Sequence, residues 1–240
     1  MTFAALQSLA DRAALFTALR QDALVSATDD LGDHRWDADM NAGTITFTAN
    51  ADPSRQVVTR AQLIATIAPG PRSLLWAWAH PQGDAQGLAA QLRAHGLEQG
   101  IAELFDPELP FPADAPGDES WIAAAAHTVG GAAIEITGRS PYYSAPIGGG
   151  TRAVFLLDAP IPDLTVAAAV IALPRILSGL ALADARTAVW DLARLAGWSL
   201  NWADENYTGA SVVDTSGSAT FRFDEQARII GFEGSLGAQG

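Results

Sequence analysis

Three stretches that read as β-strands follow one another between residues 44 and 79, and no helix-length segment parts them. Thr44–Ala49 alternates, with Ile45 and Phe47 on one side, as a half-buried strand does. Asp52-Pro53 turns the chain, Gln56–Ala68 supplies the second strand, and Pro69-Gly70-Pro71 ends it. Ser73–Ala79 is the third. An antiparallel meander accounts for this order. Along the rest of the chain helical and strand patterns also come in groups and not in strict βαβ alternation. The expected class is therefore α+β, an antiparallel sheet covered by helices, in a single domain over residues 1–240.

The helical patterns start at Phe3. Phe3, Leu6, Leu9, Ala13, Phe16 and Leu19 recur at three- and four-residue steps, predicting one amphipathic helix to Leu24. Asp84 is placed to cap a helix to His95 that Gly96 ends, and Asp118 one from Glu119 to Val129 that Gly130-Gly131 ends. Ala132–Gly138 and Thr151–Leu157 then read as strands. Asp163 is placed to cap an alanine-rich helix to Leu173, with a break at Pro174. A helix over Ala183–Ala196 closes at Gly197. In the tail Ala219, Phe221 and Phe223 share one strand face, Asp224–Arg228 makes a hairpin turn, and Ile229–Phe232 returns. The two ends echo each other weakly, a helix followed by Trp36-Asp37 and Thr46-Phe47 at one end, and by Trp202, Asp204 and Thr220-Phe221 at the other. That echo raises the expectation of an internal duplication.

Composition removes several function classes. All fourteen basic residues are arginine, so Schiff-base chemistry and a phosphate-loop lysine are absent. There is no cysteine, hence no disulfide, thiol nucleophile or cysteine-ligated metal, and a cytoplasmic location is compatible. The formal net charge of -13 argues against nucleic acid and against an anionic membrane surface as partners. The most apolar run, Leu164–Ala183, carries Pro174-Arg175 at its centre and reads as a buried helix, not a membrane span. His34, His80, His95 and His127 form no HExxH pair, no serine sits in a GxSxG elbow, and the acids of Asn201–Tyr207 lack calcium-loop spacing. No metal and no cofactor are expected.

One stretch draws a binding hypothesis: "SLLWAWAHP", Ser73–Pro81. Continued as a strand, it sets Leu74, Trp76, Trp78 and His80 on one face and Leu75, Ala77 and Ala79 on the other. The large face is either a core layer or a pocket wall. In the second case Tyr142, Tyr143 and Arg152, beside the glycine triplet Gly148–Gly150, are candidates for the opposite wall, and His80 is the candidate base. The glycines precede a strand, which is the wrong context for a phosphate cradle.

The same stretch resembles a strand motif close to W-x-W-A-W-A-N-P in a bacterial, mainly actinobacterial, family of uncharacterised proteins that carry a domain of unknown function. Trp76, Ala77, Trp78, Ala79 and Pro81 match it, and His80 stands where asparagine is usual. The resemblance extends through Trp36-Asp37, Thr46-Phe47 and Val154–Leu156 and covers residues 1–160; residues 161–240 form a helix-rich segment with a C-terminal hairpin outside it. It implies no catalytic residues. Two functions stay open at this point. One is a soluble, non-enzymatic binding or interaction protein with a protein partner or self-association, through the first helix or the alanine-rich one. The other is a small-molecule-binding protein or enzyme with its pocket at Trp76, Trp78 and His80. Burial of the tryptophans discriminates between them.

Overall fold

A computed structural model of the chain describes residues 3–237 and shows an α+β protein with antiparallel sheets. The chain divides into two compact units. One holds the chain up to Ala10 together with Ala23–Ile161, the other Asp11–Asp22 together with Pro162 onward.

The chain begins with helices α1 (Ala4–Arg12) and α2 (Ala14–Asp29), so the predicted first helix is interrupted at Ala13; residues 11–22 of the two belong to the second unit and the rest to the first. The amides of Ala5 and Leu6 at the start of α1 each donate to a Glu103 carboxylate oxygen at 3.0 Å, which satisfies two of the helix's orphan donors. Strands β1 (His34–Asp39), β2 (Thr44–Ala49), β3 (Gln56–Ala68), β4 (Ser73–Trp76) and β5 (Glu108–Pro110) follow, with helices α3 (Leu88–Gln99) and α4 (Ala102–Phe105) between the last two. Helix α5 (Glu119–Thr137) and strands β6 (Tyr142–Gly148) and β7 (Thr151–Asp158) complete a seven-stranded sheet. β2 and β3 match their expected limits, and all pairings are antiparallel.

The register shows how the sheet forks. β2 pairs with residues 56–60 of β3 and β4 with residues 65–68, while β7 pairs with residues 60–67. Arg60 has partners in both β2 and β7, and Ala65 in both β4 and β7. β2 and β4 therefore share one edge of β3 and β7 takes the other. The sheet curls, and its inner face is filled by Ile45, Phe47, Ala145, Ala153, Phe155 and Leu157, with Leu24 of α2 and Leu31 of the turn after it packed in. Full burial of a side chain such as Phe47 stabilises by about 1.5–3 kcal/mol. The outer face lies under α5, which crosses β3, β6 and β7.

Helix α5 departs from the expectation of a stop at Gly130 and a strand beyond it. The helix runs through both glycines to Thr137, and Gly138 in the left-handed conformation caps it. A Cβ at Gly130 would lie 2.5 Å from the Tyr142 ring, and one at Gly131 would lie 2.9 Å from the Ala10 side chain. The glycines are points of close approach. Gly96 behaves alike: α3 continues to Gln99, because a side chain there would meet Leu104 at 2.5 Å. Asp118 caps α5 as expected, accepting the Trp121 amide at 2.8 Å.

In the second unit a four-stranded sheet has the order β11-β10-β9-β8, formed by β8 (Ser199–Trp202), β9 (Gly209–Asp214), β10 (Gly217–Phe223) and β11 (Ile229–Leu236). Helix α6 (Val166–Leu177) packs on β9, β10 and β11, and α7 (Ala185–Ala196) on β8. The cap of α6 is Thr165, not Asp163, and the helix continues through Pro174 to Leu177. Asp214 also receives the Val166 amide at 3.0 Å, together with the Ser216 hydroxyl at 2.6 Å and the Ser216 amide at 2.7 Å. Buried Asp191 on α7 is held by Arg12 at 3.0 Å and Arg194 at 2.7 Å, so its charge is compensated. The echo of the two ends differs in space: Trp36 lies directly across from Phe47, whereas β9 runs between Trp202 and Phe221.

Candidate functional site

The inner face of the curled sheet opens into a cleft of about 510 Å³. Trp36 and Ala38 come from β1, Leu63 and Thr66 from β3, and Ala153 and Phe155 from β7. Met40, Asp37, His80, Gln82, Pro146 and Ile147 line the rim and remaining wall. A bulge in β3 makes this wall possible. Phe155 and Ala153, two apart on β7, pair with Leu63 and Thr66, three apart on β3. The extra residue at Ile64 restores the phase, so that Leu63 and Thr66 both face inward. Among the described residues neither β1 nor β6 has a second strand partner, and the two edges approach through Trp36 and Tyr143, whose rings lie 5.9 Å apart edge to face.

His80 reaches the cleft from a turn, not a strand. β4 ends at Trp76; the Ala79 amide donates to Trp76 O at 3.0 Å and the His80 amide to Ala77 O at 3.2 Å. Gly83 closes this turn with its amide on His80 O, and a Cβ there would lie 1.9 Å from Ala77 O, so no other residue fits. The Gln82 amide donates to His80 Nδ1 at 3.0 Å. In the neutral ring the proton is therefore on Nε2, and His80 offers a donor.

The six candidate residues do not share one pocket. Trp76 is fully buried; paired with Ala65 and Val154 across the sheet, it lies on the outer face, and its indole donates to Glu103 O at 3.0 Å. It is a core residue. Trp78, beyond the strand, lies under the Arg93 guanidinium, 4.8 Å from the ring centroid, and its indole N–H is buried without a hydrogen-bond partner. His80 alone of the three lines the cleft. Tyr142 and Tyr143, adjacent on β6, face opposite ways. Tyr143 meets Phe47 edge to face, 5.0 Å between centroids, beside the cleft. Tyr142 lies against α5, where a 2.5 Å hydrogen bond joins its hydroxyl to His127 Nδ1. Burial pushes the Tyr142 phenol up to about 12. Burial, with the Arg152 charge as the second cause, pushes the His127 imidazole down. At neutral pH the phenol is protonated and the imidazole neutral, so the hydroxyl donates to Nδ1. Arg152 is on this side too, tied to Ser144 by Nε on Oγ and Nη2 on the carbonyl, each at 2.9 Å.

The model of a family of unknown function (DUF6882) matches residues 7–160. The chain belongs to that family. Every residue that lines the cleft falls inside the DUF6882 segment, and the sheet of the second unit falls outside it. No curated protein and no solved structure matches the chain.

Trp36, Ala38, Leu63, Thr66 and Phe155 were not among the sequence candidates. For Trp36 and Ala38 a signal exists in HRWDAD, where large or apolar residues alternate with charged ones. Leu63 and Thr66 carry no such signal, because the bulge that aligns them depends on the partner strand.

Proposed function

We propose that the protein is a non-enzymatic binding protein for a small, largely apolar molecule, held in the cleft of the curled sheet. One observation carries the reading. The cleft has the volume of a small-molecule site and combines apolar and aromatic walls (Trp36, Leu63, Phe155) with a few polar groups, Thr66, His80 and Gln82, and the Asp37 carboxylate. The ligand's body lies along Trp36 and Phe155, and an acceptor atom on it meets His80 Nε2–H. The test uses Nile red, an uncharged apolar dye with a carbonyl acceptor. Its emission should rise saturably with protein. Ala38→Trp, which fills the cleft from a half-buried position, should weaken the dye at least tenfold without loss of helix or strand signal. Equal binding by the variant would refute the reading.

A basic protein partner is the second reading, supported by the formal net charge of -13; such binding would fall steeply with salt. The same charge disfavours nucleic acid. No helix among the described residues is long and apolar enough to cross a membrane. We place the protein in a bacterial cytoplasm, a location with which its cysteine-free composition is compatible.

A further inference from the structure

Arginines carry all of the chain's fixed positive side-chain charge, and most of them are engaged. Among the described residues only the guanidinium groups of Arg35, Arg60 and Arg139 have no ion pair, hydrogen bond or ring partner. Two of these three, Arg60 and Arg139, line the same pocket of about 230 Å³. Gln62, Leu88, Leu156 and Asp158 stand with them. This pocket is not the cleft. Arg60 and Gln62 pair with Asp158 and Leu156, and Leu156 with Tyr142, so these side chains point to the outer face that α5 crosses.

Arg60 and Arg139 are exposed, so water screens their mutual repulsion, and an anion seated in the pocket between them would gain from both charges. The chain has twenty-seven acids, yet the only one in this pocket, Asp158, makes no ion pair with Arg60 although it is its cross-strand neighbour. Gln62 is fixed, since its Oε1 accepts the Leu88 amide at 2.9 Å. From this geometry we infer a second binding site, for a small carboxylic acid with a hydrogen-bond donor beside the carboxylate: an α-amino or α-hydroxy acid with a short aliphatic body. The carboxylate takes the planar donor forks of Arg60 and Arg139. The amino or hydroxyl group meets Asp158. Leu88 and Leu156 cover the aliphatic part. The inference is independent of the cleft and its ligand.

Calorimetric titration of the full chain tests it with four probes: L-leucine, its 2-hydroxy analogue, 4-methylpentanoate (the same body without the donor) and inorganic phosphate. Saturable binding of leucine, the hydroxy acid or both is expected, stronger than that of the other two probes. It should weaken tenfold or more in Arg60→Gln and in Arg139→Gln, both exposed positions where the fold has no stake. Asp158→Asn should erase the preference for the donor-bearing acid over 4-methylpentanoate. No saturable binding of either acid in the millimolar range overturns the inference. So does binding that survives the two arginine changes combined, or phosphate binding as tightly as either acid.

Discussion

Gly130→Ala separates two accounts of the same residue. Helix propensity alone says that alanine in the interior of α5 should stabilise by about 1 kcal/mol. The structure says otherwise. The new methyl would lie 2.5, 2.7 and 2.8 Å from Cγ, Cδ2 and Cδ1 of Tyr142, where carbons at rest keep about 3.5–4.0 Å. The ring must retreat by roughly 1 Å, and it has little room to do so. It is 7% exposed and its hydroxyl is tied to His127. Overpacking of this kind costs about 1–3 kcal/mol, and the strained hydrogen bond about 1 kcal/mol more. The propensity gain offsets part of this, leaving a net loss of about 1–3 kcal/mol. For a chain of this size that lowers the thermal midpoint by roughly 2–12 °C, read by far-ultraviolet circular dichroism. Because the chain has two compact units, urea unfolding should be followed with two probes. The double variant Gly130→Ala/Tyr142→Val should be less destabilised than the sum of its single changes, since removing the ring removes the clash. A higher midpoint in Gly130→Ala alone would refute the close-approach reasoning.

Gly83→Ala should cost on the order of 1–3 kcal/mol and move His80, since the methyl cannot coexist with Ala77 O at 1.9 Å; the shift of the His80 imidazole resonances checks this. Asp214→Ala removes a cap from α6 and the hairpin hydrogen bonds to Ser216 at one stroke, and should destabilise by about 1–2 kcal/mol in urea melts. Burial would raise the Asp214 carboxyl, but the hydrogen bonds from Ser216, Val166 and Gly217 outweigh it and hold the group below 3.8, so its contribution is present above 3.8 and is lost as pH falls through the lower folded value. His127 has a linkage of the same sign in a higher window: burial holds its folded value below 6.5, so the unfolded chain takes up the proton first and stability declines as pH falls below 6.5. Unfolding midpoints between pH 7 and 5.5 (roughly, the histidine window) should fall less in His127→Gln than in the parent.

What the sequence made legible follows the range of the forces involved. The alternation of Ile45 and Phe47 in β2, the turn residues that bound β3 and the caps at Asp118 and Gly197 are local, and the structure has them. The glycines of α3 and α5 were misread because a helix-stopping residue and a helix-packing residue have the same letter; only the positions of Leu104, Tyr142 and Ala10 tell them apart. Pro174 likewise stays helical although it removes a hydrogen bond. "SLLWAWAHP" keeps strand geometry through Trp76, and the turn beyond it depends on Gly83 fitting against Ala77. The cleft itself joins β1 to β6. Strands with charged or proline residues at an open edge carry the weakest local pattern. His80 was found and its companions were not, since a pocket is made by register and curl.

The central claim is that the inner face of the curled sheet receives a small apolar molecule. Chemical-shift mapping of a Nile red titration tests it most directly. Saturable shifts should cluster at Trp36, Ala38, Thr66, His80, Ala153 and Phe155 and vanish in Ala38→Trp. Shifts that scatter over both units, or that keep their pattern in the filled variant, would contradict it.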